Sequence, residues 1–165
     1  MSDTQATAVE TSIVVEAPAE QAFAIFTEDI GSWWPPEHHI IDAPLDRMVF
    51  EPRVGGSVYD VGTDGSTCRW ATVLAFEPPH RLVFSWNITL QWQIETEPAR
   101  ASEVEVRFVP EDAGRTRVEL EHRHIDRHGE GWEAMRDAVG SPEGWGVGLR
   151  RFADRLQGVS SSEAG

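Results

Sequence analysis

Hydrophobic and polar positions change rhythm several times along this chain. Glu10 to Glu16 is β-branched and loosely alternating, which predicts a strand that ends at Ala17–Pro18, where proline suits a first helical turn. Ala22, Phe23, Phe26 and Ile30 then recur at helical spacing, while Glu20, Glu28 and Asp29 take the wet side. A helix follows, with Gly31 as its stop. Trp33-Trp34-Pro35-Pro36 forms a stiff aromatic corner, because the two prolines lack N–H donors and push the preceding residue toward extended geometry. From Phe50 to Trp86, paired glycines, a Thr-Asp-Gly-Ser turn and a Pro-Pro elbow separate runs of β-branched and aromatic residues, the pattern of an antiparallel meander. Strand parity puts Cys68, Trp70, Thr72, Leu74 and Phe76 on one face, and Leu82, Phe84 and Trp86 on one face of the next strand. A bulge would break that count.

Ile88 to Ile94 reads as a further strand and Glu95 to Pro98 as a connection. In Glu103 to Val109, residues Val104, Val106 and Phe108 share a face. In Arg117 to His124, Val118 and Leu120 share one with His122 and His124, and Glu111-Asp112-Ala113-Gly114 turns the chain between these strands. Gly129 to Val139 predicts a short helix with Trp132, Met135 and Val139 on one side. Ser141-Pro142-Glu143 reads as the cap and first turn of a final helix, with Trp145, Leu149, Phe152 and Leu156 along one stripe. This order predicts an α+β domain spanning residues 8–158, with flexible tails at 1–7 and 159–165. Its antiparallel sheet curls and the last helix lies in the concave face. A helix against a strongly curved sheet does not fill all the space, so a cavity between them is expected.

Composition narrows the possible partners. With 40% hydrophobic residues the chain can bury a real core, and no run approaches the ~20 apolar residues of a membrane span. The start lacks the basic and apolar segments of a signal peptide, so a cytoplasmic location is expected. Cys68 is the single cysteine, which denies an internal disulfide. Formal charge is -14 and every basic residue is arginine. Nucleic acid and anionic membranes are therefore poor partners, and lysine-based Schiff-base or phosphate-loop chemistry is excluded. The glycines at 55, 56, 62 and 65 belong to turns and lack a phosphate-loop pattern. No motif calls for a cofactor. Glu103, Glu105, Glu119 and Glu121 fall on the outward parity and read as a solvated face paired with Arg107, Arg117 and Arg123.

Tryptophan and histidine carry the candidate chemistry. Seven tryptophans stand at 33, 34, 70, 86, 92, 132 and 145. Each is either core or part of a wall for a flat or greasy ligand. Trp33, Trp34, Trp70, Phe84, Trp86, Trp145, Leu149 and Phe152 are the candidate ligand-binding residues. His122 and His124, two apart on one strand, are weak candidates for proton transfer; without a third ligand their spacing assigns no metal site. His38 and His39 follow the tryptophan corner. Cys68 reads as a small buried hydrophobe, since no nucleophile motif surrounds it.

Three strings carry a family resemblance: Phe50-Glu-Pro-Arg53-Val-Gly55-Gly56, Val73-Leu-Ala-Phe76-Glu77-Pro78-Pro79-His80-Arg81-Leu82-Val83-Phe84-Ser85-Trp86, and Gly114-Arg-Thr-Arg-Val118-Glu-Leu120. With Gly144-Trp145, Leu149 and Phe152, they make the chain from about Val9 to Leu156 similar to the activator of heat-shock-protein-90 ATPase homologue family of the START-like (SRPBCC) superfamily. The resemblance implies a helix-grip fold around a deep, mostly apolar pocket. Other superfamily members bind lipids or hormones, or cyclise polyketides. The expected function is binding of a small hydrophobic ligand by a monomer or homodimer. One alternative is a pocket enzyme of cyclase, hydratase or hydrolase type using the histidines. The other is a stress-related co-chaperone-like module. In the eukaryotic activator a separate N-terminal domain with an Asn-Asn-Trp-His-Trp type motif contributes to stimulation; no such motif precedes Val9, so a chaperone partner is not expected.

Overall fold

A computed structural model describes residues 7–34, 41 and 43–164. Its strands are β1 (Val9–Val15), β2 (Leu45–Phe50), β3 (Ser57–Gly62), β4 (Thr67–Glu77), β5 (Arg81–Trp86), β6 (Ser102–Asp112) and β7 (Arg115–Arg123). They form one antiparallel sheet in the order β1-β7-β6-β5-β4-β3-β2, curled into a half-barrel. Helix α1 (Ala19–Glu28) follows β1, and α2 (Trp132–Gly140) and α3 (Val147–Ala164) close the chain. The Pro35-Pro36 part of the aromatic corner, His38-His39 and residues 1–6 of the expected N-terminal tail lie outside the described residues.

The helical stripes fold as their spacing predicts. Ala22, Phe23, Phe26 and Ile30 are buried against the sheet, and so are Trp145, Leu149, Phe152 and Leu156. The Phe152 ring meets Phe26 at 5.2 Å and Trp33 at 5.5 Å, edge-on in both cases. Arg155 pairs with Asp29 at 2.7 Å and Arg151 Nε donates to the Trp33 carbonyl at 3.0 Å, so the polar side of α3 ties down the end of α1. Helix α1 itself stops at Glu28, ahead of Gly31, and a short turn at Ile30–Ser32 leads into the tryptophans.

Elsewhere the geometry departs from the pattern. In β4 the register shifts twice: Trp70 falls between the partners of Val58 and Tyr59, and Leu74 between those of Phe84 and Val83. Each extra residue reverses the alternation. Trp70 and Val73 therefore turn inward while Leu74 is 42% exposed, so the parity that grouped Trp70 with Leu74 fails. Ile88–Ile94 is not a strand but a loop held by one bridge. The Thr89 hydroxyl accepts from the Gln91 and Gln93 amides at 3.2 and 3.1 Å and diverts the backbone from ladder pairing.

Ser141 does not cap the last helix. Its hydroxyl donates back to the Ala138 carbonyl at 2.9 Å and closes α2, and the chain then breaks helical geometry at Gly144 (φ -89°, ψ -118°) before α3 begins at Val147. A side chain at Gly144 would put Cβ 2.3 Å from the Val139 carbonyl oxygen, so glycine is required for this approach. Helix α3 extends through Ser160–Ala164, which the sequence reads as a tail.

On the outer face, Arg107 and Arg123 pair across the β6–β7 ladder with Glu119 and Glu103, Arg117 and Arg123 also reach Glu119 and Glu121 along β7, and Arg127 reaches Glu103 from the turn beyond the strand. Glu105 departs from the solvated reading: it is buried beneath Arg81, at 2.5 Å, and Arg123. Burial pushes its carboxyl up, but hydrogen bonds and charge from Arg81 and Arg123 outweigh that and hold it below the usual value.

Candidate functional site

All eight candidate ligand residues are buried in one cluster on the concave face. Trp33 and Phe152 stand at its α1 end. Trp34 bridges to the other end, with ring centroids 5.6 Å from Trp33, 5.0 Å from Trp70 and 5.8 Å from Trp145. Trp70 continues to Phe84 and Trp86, and Trp86 to Trp145 at 5.6 Å. Strand β5 supplies Phe84 and Trp86, the first bulge of β4 supplies Trp70, and the turn into α3 supplies Trp145. The Trp70 indole donates to the buried Asp60 carboxylate at 3.3 Å. The buried indole nitrogens of Trp33 and Trp86 have no hydrogen-bond partner among the described residues.

Behind Trp86 and Trp145 lies a buried polar chain. His122 is fully buried on the inward face of β7, its ring 5.0 Å from Trp86. Its Nδ1 accepts from the Trp145 indole N–H at 3.1 Å, and its Nε2 lies 2.8 Å from Ser102 Oγ. The same hydroxyl lies 2.7 Å from His128 Nε2. An indole N–H can only donate, so Nδ1 of neutral His122 is the acceptor, and the other hydrogens are placed by giving the Ser102 hydroxyl its one available acceptor, His128 Nε2. Neutral His122 carries its hydrogen on Nε2 and gives it to Ser102, Ser102 gives its own to His128 Nε2, and His128 holds its hydrogen on Nδ1. That last nitrogen is buried and has no hydrogen-bond partner among the described residues.

Electrostatics agrees with this assignment. Burial, with a smaller contribution from His128, lowers the His122 imidazole from 6.5 to about 3. His128 is lowered as well: burial depresses it, the Glu95 carboxylate raises it, and Arg100 depresses it. The chain is therefore neutral at pH 7, and its free acceptor electrons are masked.

His124, paired with His122 in the sequence reading, is not in the site. Strand β7 ends at Arg123, His124 adopts a left-handed conformation (φ 60°), and its side chain is exposed. Ser102 and His128 join His122 instead. Ser102 was not singled out in the sequence although it shares the parity of Val104, Val106 and Phe108. His128 stands out there only as a polar residue following the His122–His124 pair closely, and it reaches Ser102 from the turn Ile125–His128. Cys68 is half-buried, next to Asp60 in register. Among the described residues no cluster of three His, Cys, Asp or Glu is placed to hold a metal ion, and no helix is long and apolar enough to cross a membrane.

The curled seven-stranded sheet, the helix lying in it and the aromatic interior between them define a START-like helix-grip domain. The chain belongs to the family described as Activator of Hsp90 ATPase homolog 1-like protein, whose model matches residues 16–157. Among solved structures it is similar to the anthrahydroquino-γ-pyrone synthase Txn09, with 41% identity over 89% of this chain and 95% of that one, and a TM-score of 0.64. It is also similar to CalC, a self-sacrificing resistance protein from Micromonospora echinospora, with 28% identity, 90% and 93% coverage and a TM-score of 0.63. Protein NE0264 from Nitrosomonas europaea, at 16% identity, 94% and 97% coverage and a TM-score of 0.68, shares the fold. No curated protein matches the chain.

Proposed function

We propose that this domain binds a flat, oxygen-bearing polycyclic aromatic compound among the tryptophans of its interior. The observation that carries the reading is the aromatic wall with two unpartnered N–H donors, on Trp33 and Trp86. Indole faces suit flat rings, and each buried donor left unpaired costs about 1–3 kcal/mol, which a ligand carbonyl or phenol oxygen recovers. A cavity opened by parting Trp34, Trp70, Trp86 and Trp145 belongs to the proposal. Likeness to a synthase named for an anthrahydroquinone-derived pyrone supports the ligand class. The same likeness, together with the neutral imidazole of His122 behind the wall, favours ring closure through oxygen as the chemistry such binding serves.

Titration of the full chain with 2-hydroxyanthraquinone, followed by tryptophan fluorescence, tests the binding. Saturable quenching is expected, weakened about fivefold to tenfold in Trp86→Phe, which removes one buried hydrogen bond. Quenching that stays linear and matches that of free N-acetyltryptophanamide would sink the proposal.

A further inference from the structure

The buried polar chain ends in two groups that the fold leaves poised. At one end the His122 Nδ1 lone pair is covered by the Trp145 indole N–H; at the other the His128 Nδ1–H has no acceptor among the described residues. Each hydrogen bond between them points the same way, from Trp145 through His122 and Ser102 to His128. Trp145 itself sits in the turn Pro142–Gly146, where Gly144 already departs from helical geometry. Its backbone thus belongs to neither α2 nor α3.

We infer that Trp145 masks a buried general base and that Ser102 and His128 drain the proton this base collects. The inference rests on the ligand-binding reading above. A ligand carbonyl takes the Trp145 N–H, and His122 Nδ1 is exposed to a ligand hydroxyl. The hydroxyl proton moves to Nδ1 and leaves an oxyanion on the ligand. His122 passes its Nε2 proton to Ser102 Oγ as the Ser102 proton moves to His128 Nε2. At the end His122 is neutral with its hydrogen on Nδ1, Ser102 is again a hydroxyl, and His128 is a cation with hydrogen on both nitrogens. Three protons have each moved one place, the net transfer is one proton from the ligand to His128, and no bond other than O–H and N–H has changed.

The surroundings favour that direction. His122 is enclosed by Trp86, Trp145, Ser102 and His128, and none of its hydrogen bonds goes to a carboxylate that would hold a cation there. Burial disfavours a cation at His128 as well and leaves its imidazole below the ordinary value, but there the Glu95 carboxylate offsets part of that cost. Arg100, whose Nη2 donates to the His128 carbonyl at 3.4 Å, opposes it, and Asp126 and Arg127 of its own turn are exposed. The proton thus travels away from the aromatic wall and toward the loop that precedes β6.

Two measurements on the full chain test this. Nitrogen-15 NMR of the ligand-free protein is expected to show His122 neutral with hydrogen on Nε2 and His128 neutral with hydrogen on Nδ1. On acidification His128 takes the first proton, and in Trp145→Phe the His122 ring protonates about tenfold more readily. His122 found with hydrogen on Nδ1, or protonating before His128, overturns the inference without any variant. At saturating 2-hydroxyanthraquinone, the absorbance of the bound phenolate is expected at lower pH than for the free probe. The shift is lost in His128→Gln, which still accepts from Ser102 but holds no proton, and persists in the exposed control His124→Gln. Saturable binding with no such shift refutes the relay and leaves the binding reading intact; absence of binding refutes the binding reading itself.

Discussion

Acid should destabilise this fold through one imidazole, and the size of the effect follows from where that imidazole sits. His122 is fully buried and held neutral, its value lowered from 6.5 to about 3. Between those values the unfolded chain binds a proton at this site that the folded chain refuses, so stability falls as pH drops below the unfolded value. The loss amounts to about 0.8 kcal/mol at pH 6 and about 2 kcal/mol at pH 5. His122→Phe keeps an aromatic ring between Trp86 and Trp145 but strands the Trp145 N–H and one lone pair of Ser102. At pH 7 the variant should therefore be about 1–3 kcal/mol less stable than the parent. The carboxylates and His128 titrate in both proteins, so the difference between their stabilities isolates His122. Urea unfolding followed by tryptophan fluorescence at pH 7, 6 and 5 should show that difference shrinking by about 2 kcal/mol. A gap that stays constant across this range would mean that His122 protonates in the folded protein at its ordinary value, and the masked-base geometry would be wrong.

Other substitutions probe separate parts of the structure. Phe152→Ala removes the ring shared by Phe26 and Trp33 and should cost about 3–5 kcal/mol in urea unfolding, against less than about 0.5 kcal/mol for the exposed Trp92→Ala. Glu105→Gln leaves Arg81 and Arg123 without their buried carboxylate; because both guanidiniums are partly exposed, the expected cost is about 1–3 kcal/mol. The Glu105 contribution is present above the unfolded carboxyl value of 4.5 and disappears as pH falls through the lower folded value, so the gap between parent and Glu105→Gln should close below pH 4.5. Gly144→Ala forces Cβ against the Val139 carbonyl, and should both destabilise the chain and alter the near-ultraviolet dichroism of Trp145.

Legibility of the fold follows local periodicity. Stripes such as Ala22, Phe23, Phe26 or Val104, Val106, Phe108 are readable because an unbroken helix or strand repeats its own geometry, and every member is buried. Strand β4 was readable as a strand but not as a face, since its two bulges depend on how β3 and β5 pair with it. Glu105 looked solvated for a related reason: parity sends it outward, but the arginines that cover it come from β5 and β7. Parity reports direction, and burial depends on what neighbouring strands place overhead.

The histidine site lies where periodicity stops. Ser102 opens β6, His122 is the penultimate residue of β7, His128 stands in a turn and Trp145 precedes α3, so the four meet only through the tertiary fold. A buried polar chain of this kind also constrains that fold. Val104 faces His122 across the β6–β7 ladder, and a slip of one residue would turn Val118, Leu120 and His122 outward while bringing Glu119 and Glu121 into the tryptophan wall. Burying each unpaired carboxylate there would cost several kcal/mol, and the Trp145 N–H and Ser102 hydroxyl would lose their shared partner as well. The correct register is thus selected by the same hydrogen bonds that fix the His122 tautomer. Altering Ser102 is expected to disturb strand pairing and proton placement together, whereas His128, whose ring joins the far end of the chain through Ser102, is the member whose removal separates the relay from the fold.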